Sequence, residues 1–367
     1  MYKITNIHAI LTKMYFMRIA WIFIILYIIL SMNFILLKLA PSYPPADQDQ
    51  RDIYYARQVD DGYMTMERVT DRAEMDYIRA NPSERNQKYY YQITPDQINI
   101  YKPSPISLQY FQWLKNVVLD WNWGLSTRIS VNTPAFDVLK ERIPVTIRLN
   151  LIALFVYIPI GFGFGILAAL KSNTWVDNLI SFLVMVFISV PSFVLMMLLL
   201  LLFGYTLGWV PTQFPASASN DFWLQVRGLI LPVMGLSFGS IAGLTRLTRA
   251  ELKEVLTSEF LLLARTKGLT KNQSVIRHGM RNSMVPLVPS IIGSFVGLLS
   301  GSVIIEQIYG IPGTGRVFIR AMASGNYDYN VLLVTTAFYT IISLFAILLV
   351  DLSYGIVDPR IRMGATK

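Results

Sequence analysis

The sequence contains no cysteine, so it has no disulfide framework and no thiolate metal site. Its two histidines, His8 and His278, lie far apart along the chain, which argues against a histidine metal centre. Charged residues are also scarce, at 15% of the 367 positions, whereas soluble domains carry about 25%. Because 53% of the residues are hydrophobic, the composition predicts an integral membrane protein.

The net charge of +9 is unevenly distributed. Residues 41–142 carry 12 Lys and Arg against 14 Asp and Glu, so the positive excess lies elsewhere in the chain. A basic protein can bind nucleic acid, but here the basic residues flank apolar runs. Membrane topology explains them, and we expect no nucleic-acid partner.

Six apolar runs approach or exceed the length of about 20 residues that a helix needs to cross a bilayer. The first is too long for the apolar core of a signal peptide, so it is predicted to be retained. Gly161, Gly165 and Ala169 in the second run predict close approach of another helix, and Pro191 predicts a kink in the third. The predicted spans are 19–37, 143–170, 180–205, 229–247, 284–308 and 331–350.

Residues 41–104 differ in character from these runs, because charges, Tyr, Gln and Pro become common. The three consecutive tyrosines at 89–91 argue against disorder, which is normally poor in aromatic residues. We therefore predict a small folded domain, with a polar helix over 66–79. Further along, a capped amphipathic helix that ends at Arg142 is predicted to lie along the outer membrane interface.

A basic loop follows the fourth run. Residues 245–283 carry eight Lys and Arg and three Glu. The run before Gly268 has no helix breaker, and Gly268 can end a helix in the left-handed conformation. Asn272 or Ser274 is predicted to cap a second short helix. A helix-Gly-helix element beside the bilayer indicates a docking surface; the alternative is an interfacial helix that lies on lipid.

The same loop carries a family pattern. Residues 264–269 read Ala-Arg-Thr-Lys-Gly-Leu, and 277–283 read Arg-His-Gly-Met-Arg-Asn-Ser, with Pro286 after them. This pattern resembles the coupling loop of ABC-importer permeases, most closely in the dipeptide/oligopeptide branch. Of the general family motif Glu-Ala-Ala-x3-Gly, only Ala264 and Gly268 are present, a departure typical of that branch. Further stretches resemble the family in the right order, at 107–114, 120–126, 189–193, 207–211, 309–316 and 358–362.

One of those stretches also imitates a phosphate-binding loop. Residues 310–316 read Gly-Ile-Pro-Gly-Thr-Gly-Arg, but Arg316 and Val317 stand where Lys and Ser or Thr are needed, and no strand precedes them. The stretch resembles the outer Pro-Gly-x-Gly turn of the family instead. Because the sequence also shows no nucleophile constellation, we expect no catalytic activity and no nucleotide site in this chain.

The resemblance implies an all-α polytopic membrane protein with the type I ABC importer permease fold. It would have six transmembrane helices and an inserted extracytoplasmic domain between helices 1 and 2. We therefore predict four regions along the chain. They are the N-terminus with the first span (1–40), the extracytoplasmic insert and the segment leading to the core (41–131), the permease core (132–355, with the coupling loop at 245–283), and a cytoplasmic tail (356–367).

The resemblance also implies the partners. They are a second homologous permease subunit, two ATPase subunits, an extracytoplasmic substrate-binding protein, a peptide substrate and membrane lipid. This chain would hold no cofactor, because ATP and Mg would be bound by the ATPases. Closure of the ATPases would move the coupling loop and tilt the spans between inward- and outward-facing states. The residues predicted to couple to the ATPases are Glu259, Ala264, Arg265, Lys267, Gly268 and Leu269, with Arg265 and Lys267 facing either ATPase acids or lipid phosphates.

The distribution of Lys and Arg predicts the orientation. Residues 1–18, 171–179, 245–283 and 351–367 together hold 15 of them, whereas the short loops 208–227 and 309–330 hold 3. We therefore expect a multi-pass protein of the bacterial cytoplasmic membrane, with both termini and the coupling loop in the cytoplasm and 41–142 outside.

Other functions stay open at this point. Close relatives of the peptide permeases carry nickel or other small solutes. A channel would need no docking loop. A membrane-anchored enzyme or sensor would place its function in 41–104, where the sequence shows no catalytic set.

Overall fold

The computed structural model describes residues 2–39, 44–215, 221–323 and 327–357, without the side chains of 2–15, 271, 296–301 and 355–357. The predicted ending at 358–362 and the rest of the tail lie outside the described residues. The helices are α1 (Tyr2–Leu39), α2 (Gln48–Asp60), α3 (Arg72–Ala80), α4 (Ile106–Leu119), α5 (Ala135–Lys140), α6 (Ile143–Leu170), α7 (Trp175–Ser189), α8 (Ser192–Leu199), α9 (Phe222–Leu256), α10 (Glu259–Thr266), α11 (Lys271–Ser274), α12 (Met280–Ile308), α13 (Thr314–Ala321) and α14 (Tyr329–Val357).

The long apolar helices follow the predicted runs. Four described segments are long and apolar enough to cross a membrane: Phe16–Leu39, Ala135–Leu170, Phe222–Leu256 and Tyr329–Tyr354. A fifth forms if α7 and the Ser192–Thr206 segment are counted as one broken span. The predicted fifth run coincides with α12, part of whose side chains are outside the description. The six-span topology therefore stays a prediction.

The predicted kink in the third run is a full break. The backbone leaves the helix at Val190, Pro191 caps the next helix, and the two helix axes differ in direction by 101°. Pro191 lacks the N–H that would continue the helical ladder, which is why the chain breaks there.

Two compact units make up the chain. Met1–Ile24, Ile143–Arg316 and Tyr339–Lys367 form the first unit, and Ile25–Arg142 with Val317–Phe338 form the second. The second unit thus groups residues 44–142 with the C-terminal part of α1, the end of α13 and the beginning of α14. The four regions predicted from sequence follow chain order, and their boundaries stay predictions.

The first unit is a helical bundle with an apolar core. Tyr157 and Ala153 of α6, Leu231 and Leu236 of α9, and Leu287 of α12 are among its buried residues. The predicted close approach within it is confirmed. A Cβ on Gly165 would overlap the Thr248 side chain of α9, and the hydroxyl of Thr245 donates to the carbonyl oxygen of Gly161 at 3.1 Å. These contacts hold α6 against the helix that leads into the basic loop.

The second unit contains a sheet, so the all-α prediction is wrong for this part of the chain. Strands β1 (Met64–Val69), β2 (Tyr90–Ile93) and β3 (Ile98–Pro103) form an antiparallel sheet in the order β1-β3-β2. The predicted polar helix over 66–79 is a strand followed by α3. The charges of this stretch concealed the strand, because its stability comes from pairing with β3, some thirty residues later in the chain.

The stretch between residues 44 and 104 is folded, as its aromatic residues predicted, but it is one part of the second unit, and a separate domain at this place stays a prediction. Val69, Met75, Ile98 and Ile100 form the core of this stretch. Beside the sheet, the ring of Tyr90 stacks on that of Tyr55 with centroids 4.1 Å apart. The aromatic residues that argued against disorder are therefore part of the packing.

Candidate functional site

The basic loop begins where α9 ends and folds back as a short helix, α10. Ser258 is in the extended conformation before α10, and Glu259 stands in its first turn, where a negative charge is favourable. Leu261 is almost fully buried and fixes one side of this helix. The opposite side is open to solvent.

Gly268 ends α10 in the left-handed conformation that the sequence predicts, with φ of +95°. The N–H of Gly268 donates to the carbonyl of Arg265 at 3.0 Å, and the N–H of Leu269 donates to that of Ala264 at 3.4 Å. These two bonds form a Schellman motif, which satisfies carbonyls at the end of a helix. A residue with a side chain would be strained at this φ, so glycine is required by the backbone.

Thr270 caps the next helix, α11, which corrects the prediction of Asn272 or Ser274. The N–H of Gln273 donates to the Thr270 hydroxyl oxygen at 3.3 Å, and the N–H of Thr270 donates to the Gln273 side chain at 3.2 Å. This reciprocal pair is a capping box. The Schellman motif is complete at Leu269, so the next residue, Thr270, is already free to cap α11. The cap therefore lies two residues before Asn272, the first of the predicted caps.

The predicted coupling residues share one short element. Glu259, Arg265, Lys267 and Gly268 are exposed, and Ala264 and Leu269 are half-buried. No atom lies within 4 Å of the position that a Cβ on Gly268 would occupy. No ion pair of Arg265 or Lys267 occurs in the part of the chain that the structure describes. Both cations therefore remain available to an acidic partner.

Exposed apolar side chains occur in the same loop, two on α10 and one in the segment 275–279. Leu262, Leu263 and Ile276 are exposed by 61%, 56% and 69%. Exposed apolar groups in one short element mark a surface for protein or membrane contact. The sequence analysis singled out the charges and the glycine of this loop but not these leucines.

A buried ion pair lies at the base of the loop. Asp177 of α7 is almost fully buried, and Arg249 of α9 reaches it with two hydrogen bonds, Nε to Oδ1 at 2.5 Å and Nη2 to Oδ2 at 2.8 Å. Such a bidentate pair fixes geometry as well as charge. Sequence reasoning missed Asp177, although a lone acid at the start of an apolar helix is a visible signal.

The turn at 309–316 is built around another buried acid, Glu306 of α12. Its Oε1 accepts from the Thr146 hydroxyl at 2.7 Å, and its Oε2 accepts from the backbone N–H of Gly315 at 2.8 Å and of Arg316 at 3.2 Å. Backbone amides at a helix start favour an anion. An internal carboxylate thus occupies the place where a phosphate-binding loop would hold its ligand.

Comparison with known proteins identifies the family. A family model described as the binding-protein-dependent transport system inner membrane component matches residues 161–363. The chain belongs to this family. Its matched region includes α9, the coupling loop and the Glu306 turn.

Curated relatives of this permease are peptide permeases by name. The dipeptide transport system permease protein DppB of Lactococcus lactis subsp. cremoris is 37% identical over 276 residues, which are 74% of this chain and 87% of the relative. The oligopeptide transport system permease protein OppB of Escherichia coli is 34% identical over 261 residues, or 70% of this chain and 81% of the relative. The resemblance to ABC-importer permeases of the dipeptide/oligopeptide branch is confirmed.

Two solved structures are also similar to this permease. The MetNI methionine ABC transporter has a TM-score of 0.48 and 16% identity over 63% of this chain and 98% of its own. An amino acid ABC transporter has a TM-score of 0.44 and 19% identity over 60% of this chain and 94% of its own.

Proposed function

We propose that this permease is one translocation subunit of an ATP-driven, binding-protein-dependent importer of peptides. In this proposal it pairs with a second permease, two ATPases and a binding protein, and it moves substrate by alternating access without hydrolysing ATP itself. The names of the relatives support the peptide substrate. The observation that carries the coupling role is the open surface of this element, where the exposed Leu262 and Leu263 of α10 are followed by the exposed Arg265 and Lys267 and by the left-handed Gly268.

The physical basis of coupling is the rigidity of this loop. Two caps satisfy the backbone between α10 and α11, and the buried side of α10 holds the element in place. A closing ATPase dimer that pushes on Leu262 and Leu263 would therefore move α9 as well, because the loop between them is held by these contacts. The packing of α9 on α6 would pass the movement to a spanning helix.

The docking surface is tested by placing a charge in its apolar part. Leu262→Asp adds a carboxylate to an exposed site, so the permease should insert and fold normally. Co-purification of the ATPases and peptide uptake should both fall sharply, because a docked carboxylate would lose its water. Met66→Asp, an exposed apolar position on β1, is the matched control and should leave co-purification of the ATPases unchanged. If Leu262→Asp retains the ATPases and transports at the wild-type rate, α10 lies on lipid and the docking role is wrong.

The substrate class is tested in cells that lack the chain. Uptake of labelled dipeptides and oligopeptides should disappear and return with the wild-type gene. Loss of nickel uptake with peptide uptake intact would overturn the peptide assignment while leaving the family unaffected.

We further propose that both termini and the coupling loop are cytoplasmic and that 41–142 is outside. The 15-to-3 distribution of Lys and Arg supports this orientation. Because the chain has no cysteine, the labelling of a single introduced cysteine shows on which side of the membrane that position lies. An impermeant maleimide should label Tyr90→Cys in intact cells and Thr257→Cys only after lysis. The reverse pattern would invert the topology.

The folded segment 44–104 is proposed to help seat the binding protein. Its sheet and its stacked tyrosines form a packed surface far larger than a link between two spans needs. Deletion of 48–103 should reduce uptake at low substrate concentration while the permease still co-purifies with its ATPases. Normal uptake by that variant would remove the docking role.

A further inference from the structure

Helix α4 carries apolar residues on its exposed side as well as on its buried side. Its buried residues are Trp113, Val117 and two polar ones, Gln109 and Asn116. Its exposed side carries Leu108, Phe111, Val118 and Leu119, and Ile106 at the start of the helix is exposed as well. A surface helix in water normally buries its apolar stripe and exposes its polar residues.

The polar groups of α4 are held by the protein itself. The Gln109 side chain donates to the carbonyl of Ser104 at 2.6 Å, and the Asn116 side chain donates to that of Asp61 at 3.0 Å. Rotation of the helix to hide its apolar side would break these bonds and leave buried polar groups unsatisfied. The outward apolar face is therefore a fixed property of the fold.

Contacts with α1 place α4 beside an apolar span. The Tyr110 hydroxyl lies 2.7 Å from the Ser31 hydroxyl and donates to the Tyr27 hydroxyl at 2.9 Å. Trp113 packs on Phe34 with ring centroids 4.8 Å apart. Ser31 precedes Leu39, the last residue of the span, by eight positions, which is about 12 Å along a helix. Tyr110 thus lies level with the apolar part of α1, not beyond its end.

At this level α1 also presents apolar side chains outward. The side chains of Ile28, Ile35 and Leu36 are all exposed. Exposed apolar residues of this kind are expected on a helix surface that contacts lipid. The exposed face of α4 continues this surface. Its single charged member is Lys115, whose long stem can lie along lipid while the ammonium reaches the phosphates.

We propose that α4 lies within the membrane interface, with Leu108, Phe111, Val118 and Leu119 in contact with lipid acyl chains. The occupant of this face is the bilayer and not a partner protein, because the face adjoins a spanning helix at the depth of its apolar residues. Through the bond from Asn116 to Asp61, the same helix ties the folded segment 44–104 to the membrane surface. This inference concerns α4 alone and does not depend on the substrate or on ATPase docking.

The chain offers a direct test, because it has no cysteine of its own. Phe111→Cys and Val118→Cys are spin-labelled in the full chain, reconstituted with its importer partners in phospholipid vesicles. Accessibility to oxygen, which concentrates in lipid, is compared with accessibility to a water-soluble nickel chelate. Ile53→Cys is the matched control, since Ile53 is an exposed apolar residue on α2, a helix rich in charges.

At both α4 positions we expect an oxygen-to-nickel ratio several-fold higher than at Ile53→Cys. A ratio equal to that of Ile53→Cys would place α4 in water and overturn the proposal. Low accessibility to both reagents would show that a protein partner covers the face, and would overturn it as well. Failure of peptide uptake in the same vesicles, with the high ratio retained, would count against the proposed function only.

Discussion

Two glycine-containing turns of this permease follow a helix end, yet their glycines serve different purposes. In the coupling loop, Gly268 has φ of +95° and no atom within 4 Å of the position of a Cβ. In the turn at 309–316, Gly310 also has a positive φ, but Gly313 and Gly315 do not, and a Cβ on either of them would press against the Glu306 carboxylate. Gly268 is needed because its backbone is in the left-handed conformation. Gly313 and Gly315 are needed because a side chain at either position would collide with Glu306.

Under the proposed docking role, the difference separates a surface for a partner from a closed internal structure. The Glu306 turn satisfies the amides of Gly315 and Arg316 with a carboxylate of the same chain. The coupling loop satisfies its backbone with two caps and leaves its leucines and cations open. Substitution should therefore damage folding at the Glu306 turn and assembly at the loop that contains Gly268.

Gly315→Val should have the largest effect on folding. Its side chain would overlap the backbone of Val303 as well as the Glu306 carboxylate. Overpacking costs about 1–3 kcal/mol or more, and loss of the carboxylate's two amide bonds adds to it. We expect little monodisperse protein after extraction, measured by size-exclusion chromatography. Gly163→Val, at a glycine of α6 with no atom within 4 Å, is the control, and equal yields of the two variants would contradict the steric account.

Glu306→Gln tests the carboxylate that organises the same turn. The amide keeps the size of the side chain, but its NH2 group faces donors that need an acceptor. The unsatisfied donors should cost about 1–3 kcal/mol, seen as a lower Tm of the purified permease in detergent. Glu141→Gln, at an exposed acid, should leave Tm unchanged. A Tm as high as that of the wild type for Glu306→Gln would mean that the turn does not depend on this charge.

Gly268→Val should separate folding from assembly. A side chain in the left-handed region costs roughly 1–2 kcal/mol, which the permease should tolerate during insertion. Uptake and ATPase co-purification should fall sharply, because the strained turn would displace the docking surface. Gly208→Val is a close control: Gly208 has φ of +62°, also has no atom within 4 Å, and lies in the loop on the opposite side of the predicted topology. Equal uptake by the two variants would exclude a special role for Gly268.

Thr270→Val should have the smallest effect. It removes the hydroxyl that caps α11 while keeping the shape of the side chain. Loss of a cap costs about 1 kcal/mol, so a modest fall in ATPase-coupled uptake is expected, with normal insertion. The exposed Thr70→Val serves as the control for membrane insertion and for co-purification of the ATPases. A loss as large as that of Gly268→Val would show that the capping box, and not the glycine, holds the docking surface.

Local signals in the sequence were sufficient for several elements. The predicted second span, 143–170, coincides with α6, because long apolar runs form helices wherever they enter a bilayer. The left-handed Gly268 and the break at Pro191 followed from the backbone properties of these two residue types. The close approach at Gly161 and Gly165 was visible as a repeat of small residues.

The parts that sequence reasoning missed depend on residues distant in the chain. The bonds of Glu306 to Thr146 and of Arg249 to Asp177 join different helices, and no local pattern pairs an acid with its partner. The same holds for β1, which exists only because β3 pairs with it.

The sequence by itself determined the membrane class, the family and the left-handed turn of the coupling loop, because composition and local backbone preference act within a few residues. The tertiary structure alone decided which acids are buried, where a sheet forms and which face of α4 is left apolar. Those outcomes depend on contacts between residues that are distant in the sequence. The free energy of a buried carboxylate or an exposed leucine is set by its neighbours in space.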